Sequence, residues 1–149
     1  MIYGIIMALV IALDQITKYL IRANLNLGDR IQIIGDWFRI TYVQNTGTAF
    51  SMFAGNKLVT LVLTSVLIIG CLIIIIKEAR NGSKALALCL TAVISGGIAN
   101  MIDRFMLGFV TDMISVGSFA VFNVADIAVT CGCFAAMILV LLEYRKEDK

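Results

Sequence analysis

Four stretches of this chain are long and apolar enough to cross a lipid bilayer. The uncharged run Leu58–Ile76 has 19 residues and Ala85–Ile102 has 18. Each is close to the roughly 18–20 residues that traverse the hydrocarbon core at about 1.5 Å per residue. Met1–Leu13 extends to Ile21 once Asp14 and Lys18 are admitted, and Val124–Leu142 forms the last span with Asp126 near its start. The pattern predicts an integral membrane protein, mainly α, with four transmembrane helices. Met1–Leu13 lacks a basic leader and no A-x-A site follows it, so it reads as a retained first helix. Between the first two spans lies Asn24–Asn56, the one substantial polar-containing segment. Within it Arg30–Ile34 and Trp37–Val43 are rich in β-branched and aromatic residues, separated by the turn signal Gly35-Asp36. A small β-hairpin or partial sheet is expected there, with Trp37, Phe38 and Tyr42 at the membrane interface. Lys77–Lys84, carrying Asn81-Gly82, reads as a tight turn. No internal repeat stands out, and residues 1–149 read as a single membrane-embedded domain.

Composition agrees: 60% of residues are hydrophobic and 15% charged, against about 45–50% and about 25% in soluble domains. Orientation follows from the basic residues. Lys77, Arg80 and Lys84 in the second connection, with Arg145, Lys146 and Lys149 in the tail, oppose Arg30, Arg39, Lys57 and Arg104 on the other side. The positive-inside rule then places both termini in the cytoplasm, which makes the β-segment extracytoplasmic. The net charge of +2 marks out no partner, and no nucleic acid is expected. Cys71, Cys89, Cys131 and Cys133 all fall inside spans and read as packing residues. The absence of histidine excludes Ser-His, Cys-His and His-ligated zinc chemistry.

Against this apolar background, Asp112 in GFVTDMI and Asp126 in FNVADIAV stand out, with no basic residue within five positions of either. A carboxylate so placed must be paired, protonated or facing a wet cavity, which makes it a functional candidate. The pair flanks an apparent re-entry into the membrane. Asn123 is an expected N-cap with Asp126 at N3, so a capping box competes with a catalytic role. Gly96, Asn100 and Asp103 share one helical face, followed by Arg104. Asp14 and Lys18 form an i, i+4 pair able to neutralise itself in the membrane. Ser95, Gly96, Gly97 and Ala99 suit close helix packing, and Asn45 with Gly47 suits a turn or a peptide-binding edge.

Taken together, Asp14-Gln15-x-x-Lys18, VQNTGTAF at 43–50, GGIANMIDR at 96–104, GFVTDMI at 108–114 and FNVADIAV at 122–129 resemble the bacterial lipoprotein signal peptidases, the type II signal peptidases. Thr48 and Ala99 stand where that family often has alanine and glycine. The resemblance implies an aspartic endopeptidase with Asp112 and Asp126 as the dyad. It implies substrate contacts from Asn45, Asn100, Arg104 and Asn123, with support from Asp14, Lys18, Gly47 and Asp103. It implies diacylglyceryl-modified prolipoproteins as substrates, cut just before the lipidated cysteine, and sensitivity to globomycin-type inhibitors. No metal or cofactor is required, a monomer suffices, and the setting is a bacterial cytoplasmic membrane with the site near its outer face. Two close carboxylates cannot both ionise cheaply, so the dyad is expected to hold one proton. Competing readings are a small ion- or proton-coupled transporter, a non-catalytic membrane scaffold and a Ser-Lys peptidase built on Ser51 and Lys57.

Overall fold

The computed structural model describes residues 1–47 and 57–147. Its elements run α1 (Ile2–Asn24), β1 (Arg30–Ile34), β2 (Phe38–Asn45), α2 (Lys57–Asn81), α3 (Lys84–Met106), β3 (Val110–Val116) and α4 (Val124–Glu147). The four helices are long and apolar enough to span a membrane, and a 23-residue helix of about 35 Å exceeds a hydrocarbon core of about 30 Å. Ile5, Leu9, Leu13, Leu63, Ile73, Met137 and Leu141 point outward as a lipid-facing surface.

α3 is the central helix, and its small residues explain why. Gly96 meets α4 so closely that a Cβ there would overlap the Ala125 carbonyl oxygen. Gly132 on α4 returns the contact, facing the Cys89 carbonyl and Val93 of α3. In lipid, where apolar surface gains nothing by meeting apolar surface, such close backbone approach is what holds helices together. On its other side α3 packs Ala87, Val93 and Ile94 against Ile68, Cys71 and Ile75 of α2. α2 and α3 are joined by Gly82-Ser83 alone, the flanking residues of the expected turn being helical. Ser83 caps α3 by accepting from Leu86 N.

The β-segment is larger than the sequence suggests. β1 and β2 form the expected hairpin, but β2 also pairs antiparallel with β3, giving the order β1-β2-β3. The stretch around Asp112 is therefore a sheet strand, and the chain re-enters the bundle only at α4, so Asp112 and Asp126 flank that return. Val110, Thr111, Ile114 and Val116 are β-branched and suit a strand, but nothing local in VTDMISV names the strand it pairs with. Its strand character comes from the exposed edge that β2 offers it. Ile40 opposes Ile114 and Val43 opposes Asp112, so two residues of β2 face one of β3. That is a β-bulge, a device that re-aims side chains beside functional sites.

Other expectations shift as well. Trp37 is exposed as an interface residue should be, but Tyr42 is buried and its hydroxyl accepts from Gln44 Nε2. Among the cysteines only Cys71 is buried, whereas Cys131 and Cys133 face outward. Residues 48–56, with Thr48 and Ser51 among them, and residues 148–149, with Lys149, lie outside the described residues.

Candidate active site

The sheet, the C-terminal ends of α1 and α3 and the N-terminal ends of α2 and α4 gather at one end of the bundle. There a cavity of about 490 Å³ opens, with Asn45, Asn100, Arg104, Asp112, Asp126 and Thr130 among its lining. Phe119, Val121, Phe122 and Ile127 supply apolar wall. Phe122 is held beside β3 by backbone bonds with Ile114, and Phe119 meets its ring edge-on at 6.2 Å.

Asp112 reaches the cavity from β3 and is 2% exposed. Asn45 Nδ2, from the neighbouring strand, donates to its Oδ2 at 3.0 Å, and Asn123 Nδ2 donates to its Oδ1 at 2.7 Å. Asp126 sits half-buried in the first turn of α4, where the helix dipole favours a negative charge. Asn123 and Asp126 do form the reciprocal cap: Asn123 N donates to Asp126 Oδ2, and Asp126 N donates to Asn123 Oδ1. Capping and catalysis are not exclusive, because Asp126 Oδ1 remains directed to Asn100 Nδ2 at 2.8 Å and lines the cavity. Asn123 itself is completely buried and touches both carboxylates.

Behind this shell lies a buried polar cluster. Lys18, with no exposed surface, bonds Asp14 at 2.8 Å, Asn100 Oδ1 at 2.8 Å and Asp103 at 3.4 Å. A lysine can only donate, so it turns the Asn100 oxygen inward and the Asn100 N–H toward Asp126. The same oxygen accepts from Asn123 Nδ2, which fixes the second amide with its N–H toward Asp112. One cation thus sets the polarity of two of the three amides that face the carboxylates, those of Asn100 and Asn123. Asp14 Oδ1 also accepts from Ala125 N at the start of α4, tying α1 to the helix that carries Asp126. Asp103 stands outside the cavity lining; it accepts from Thr111 N and Gln15 Nε2, fixing the strand that carries Asp112.

Arg104 Nη2 donates to the Gly47 carbonyl at 3.0 Å, and Gly47 N returns to Asn45 Oδ1, so the Asn45–Gly47 turn is pinned against α3. Two participants escaped the sequence reading. Arg22 donates to the Thr111 hydroxyl at 2.9 Å and stands 4.0 Å from Asp103. Its signal was present, since Asp14, Lys18 and Arg22 recur at four-residue spacing on one face of α1. Thr111, fully buried beside Asp112, needed β3 to be seen first.

Burial pushes the Asp112 carboxyl from its ordinary 3.8 up to about 6. The nearby Asp126 charge adds to that rise, while the Asn45 and Asn123 amides and the Lys18 charge oppose it. Among the described residues no cluster of acid, cysteine or histidine side chains has the arrangement of a metal site. The chemistry available is proton transfer between two carboxyl groups and something seated in a largely apolar cavity.

A family model described as signal peptidase (SPase) II, Peptidase_A8, matches residues 6–142. The lipoprotein signal peptidase of Brevibacillus brevis is 38% identical over 147 residues, covering 97% of this chain and 98% of that one. The lipoprotein signal peptidase of Streptococcus thermophilus is 41% identical over 140 residues, covering 93% and 89%. A bacterial membrane enzyme structure obtained by the in meso method at 2.3 Å superposes with a TM-score of 0.90 at 28% identity, covering 99% of this chain and 91% of that one.

Proposed function

The chain belongs to the signal peptidase II family, and from that footing we propose that Asp112 and Asp126 are the catalytic dyad of its peptidase. It is a multi-pass membrane endopeptidase that removes the signal peptide from diacylglyceryl-modified prolipoproteins, cutting just before the lipidated cysteine. The observation that carries the dyad is the convergence of these two carboxylates, from different elements, on one cavity with an amide on each.

In this reading the dyad holds one proton. The ionised carboxylate takes a proton from water as the oxygen attacks the scissile carbonyl carbon, and the protonated one donates to the carbonyl oxygen. The tetrahedral intermediate then collapses: the C–N bond breaks, and a proton passes from the dyad to the amine of the lipidated cysteine. Proton transfer of this kind accounts for about 10²–10⁴-fold of the rate, and donors aimed at the developing oxyanion add to it. Arg104, Asn45 and Asn100 line the same cavity and are the groups suited to the substrate backbone. Asn123, wholly buried, acts by aiming the carboxylates, with Asp14, Lys18, Asp103 and Gly47 holding the shell in place.

The acyl chains stay in lipid while the peptide enters between the sheet and the bundle, and each buried CH₂ contributes about 0.8 kcal/mol to that partition. Basic residues at the opposite end of the bundle support cytoplasmic termini and a site near the outer face of a bacterial cytoplasmic membrane. Residues 1–149 act as a single peptidase unit in this reading, and a monomer suffices because both carboxylates and the amides on them lie in one bundle. The same cavity would admit globomycin-type inhibitors. The test follows cleavage of a diacylglyceryl-modified prolipoprotein in detergent, with chelator throughout, by wild type, Asp112→Asn and Asp126→Asn. Loss of cleavage in both variants, with wild-type melting behaviour, is the expected result. Undiminished turnover by either would remove that residue from the mechanism.

A further inference from the structure

A second cleft, of about 260 Å³, opens on the sheet and takes no part in the proposed chemistry. Arg30, Arg39, Thr41, Ser115 and Ser118 line it, and it shares Phe119 and Val121 with the dyad cavity. Two guanidinium groups meet here with hydroxyls and no carboxylate in the lining. Neither arginine has an ion-pair partner among the described residues; nearby Asp36 is engaged by Gln32, and Asp29 by the Asn26 backbone. Arg39 is tethered through Nη2 to the Gly117 carbonyl at 3.1 Å, while its buried Nε has no hydrogen-bond partner among the described residues. A buried donor left without an acceptor is uncommon in a native fold and asks for one.

The surroundings say where an acceptor would come from. Ile31, Ile33 and Ile34 of β1, with Trp37 and Phe119, are about half or more exposed on and beside this sheet. An isoleucine-rich edge strand with an exposed tryptophan suits the headgroup layer of a bilayer, where aromatic belts form. A basic cleft held in that layer faces phosphate oxygens, and arginine pairs with them through two parallel N–H bonds. We infer that the cleft between Arg30 and Arg39 binds the phosphodiester of an anionic phospholipid headgroup, seating the sheet on the membrane surface beside the dyad cavity. The inference does not rest on the peptidase reading, since a diacylglyceryl-cysteine substrate carries no phosphate.

Trp37, the one tryptophan in the chain, lies against Gly117 at the cleft and reports on it directly. Its emission would be followed in detergent while phosphatidylglycerol or phosphatidylcholine with identical brominated chains is added at constant ionic strength. Phosphatidylglycerol should quench at the lower mole fraction. Arg30→Gln and Arg39→Gln should each weaken that preference roughly fivefold, as expected for one basic residue at an anionic surface. Arg30 is exposed, so Arg30→Gln keeps the test alive should Arg39→Gln fail to fold, and it should still cleave prolipoprotein in detergent. Equal quenching by the two lipids, or a preference untouched by Arg30→Gln, would overturn the inference. So would loss of the preference to millimolar inorganic phosphate, which marks a simple anion site, or to an acidic peptide, which marks a polypeptide site.

Discussion

Replacing Asn123 by serine keeps the cap of α4 and removes the amide that reaches Asp112. Serine is an equally good N-cap, so its hydroxyl can still accept from Asp126 N, the role the Asn123 oxygen fills at 2.9 Å. What is lost is the amide nitrogen that donates to Asp112 Oδ1 at 2.7 Å and to Asn100 Oδ1 at 3.1 Å, of which only the first bears directly on a carboxylate. Hydrogen bonds to charged groups contribute about 1.5–3 kcal/mol, which corresponds to roughly one to two pH units on the group that accepts them. Asp112 starts at about 6, where burial raises it and this bond opposes the rise. Removing the bond should therefore move the inflection in kcat/KM that belongs to Asp112 upward by that amount. The assay is cleavage of a lipidated prolipoprotein peptide in detergent from about pH 5 to pH 9, with kcat/KM taken at each point. Thermal melting beside it should show little loss, because the cap survives. An active Asn123→Ser enzyme whose inflection stays where wild type has it would refute the claim that this amide sets the Asp112 proton affinity. A large fall in melting temperature would show that the cap, and not the amide donor, was the part that mattered.

Other consequences are equally direct. Lys18→Met leaves Asp14 and Asp103 buried without their shared cation, and should destabilise the fold by about 3–5 kcal/mol in reversible unfolding. Arg104→Lys keeps the charge but loses the planar reach to the Gly47 carbonyl, so kcat/KM should drop about 10–100-fold with little change in melting temperature. Gly96→Ala forces α3 and α4 apart at Ala125, next to Asp126; overpacking of this kind costs about 1–3 kcal/mol and should lower both melting temperature and activity. The folded state holds the Asp112 proton more tightly than the unfolded chain, so its stabilising share is complete below about 4 and fades as pH rises through about 6. Asp112→Asn removes that dependence: between those limits the melting temperature of wild type should decline more steeply than that of the variant, and parallel curves would contradict it.

Much of this protein is written along the chain. Runs of about twenty apolar residues can do little but form helices across a membrane, because lipid offers the backbone no hydrogen bonds. Asp112 and Asp126 are conspicuous for the same reason, since an ionisable group in such surroundings needs a purpose. The Asn123–Asp126 cap and the Asp14–Lys18 pair are also legible, their partners lying three and four residues apart. The third strand is not, because β3 exists through pairing with a strand more than 60 residues earlier, and an apolar segment carries no mark of its future neighbour. Nor could any local pattern show that Lys18 of α1 orients amides on α3 and before α4. That polarity depends on three separate segments meeting at one end of the bundle, where a donor with no accepting capacity leaves the amides one arrangement. Sequence determined which groups would be buried at a cost, and tertiary structure decided which of them would face one another and in which direction each bond would run.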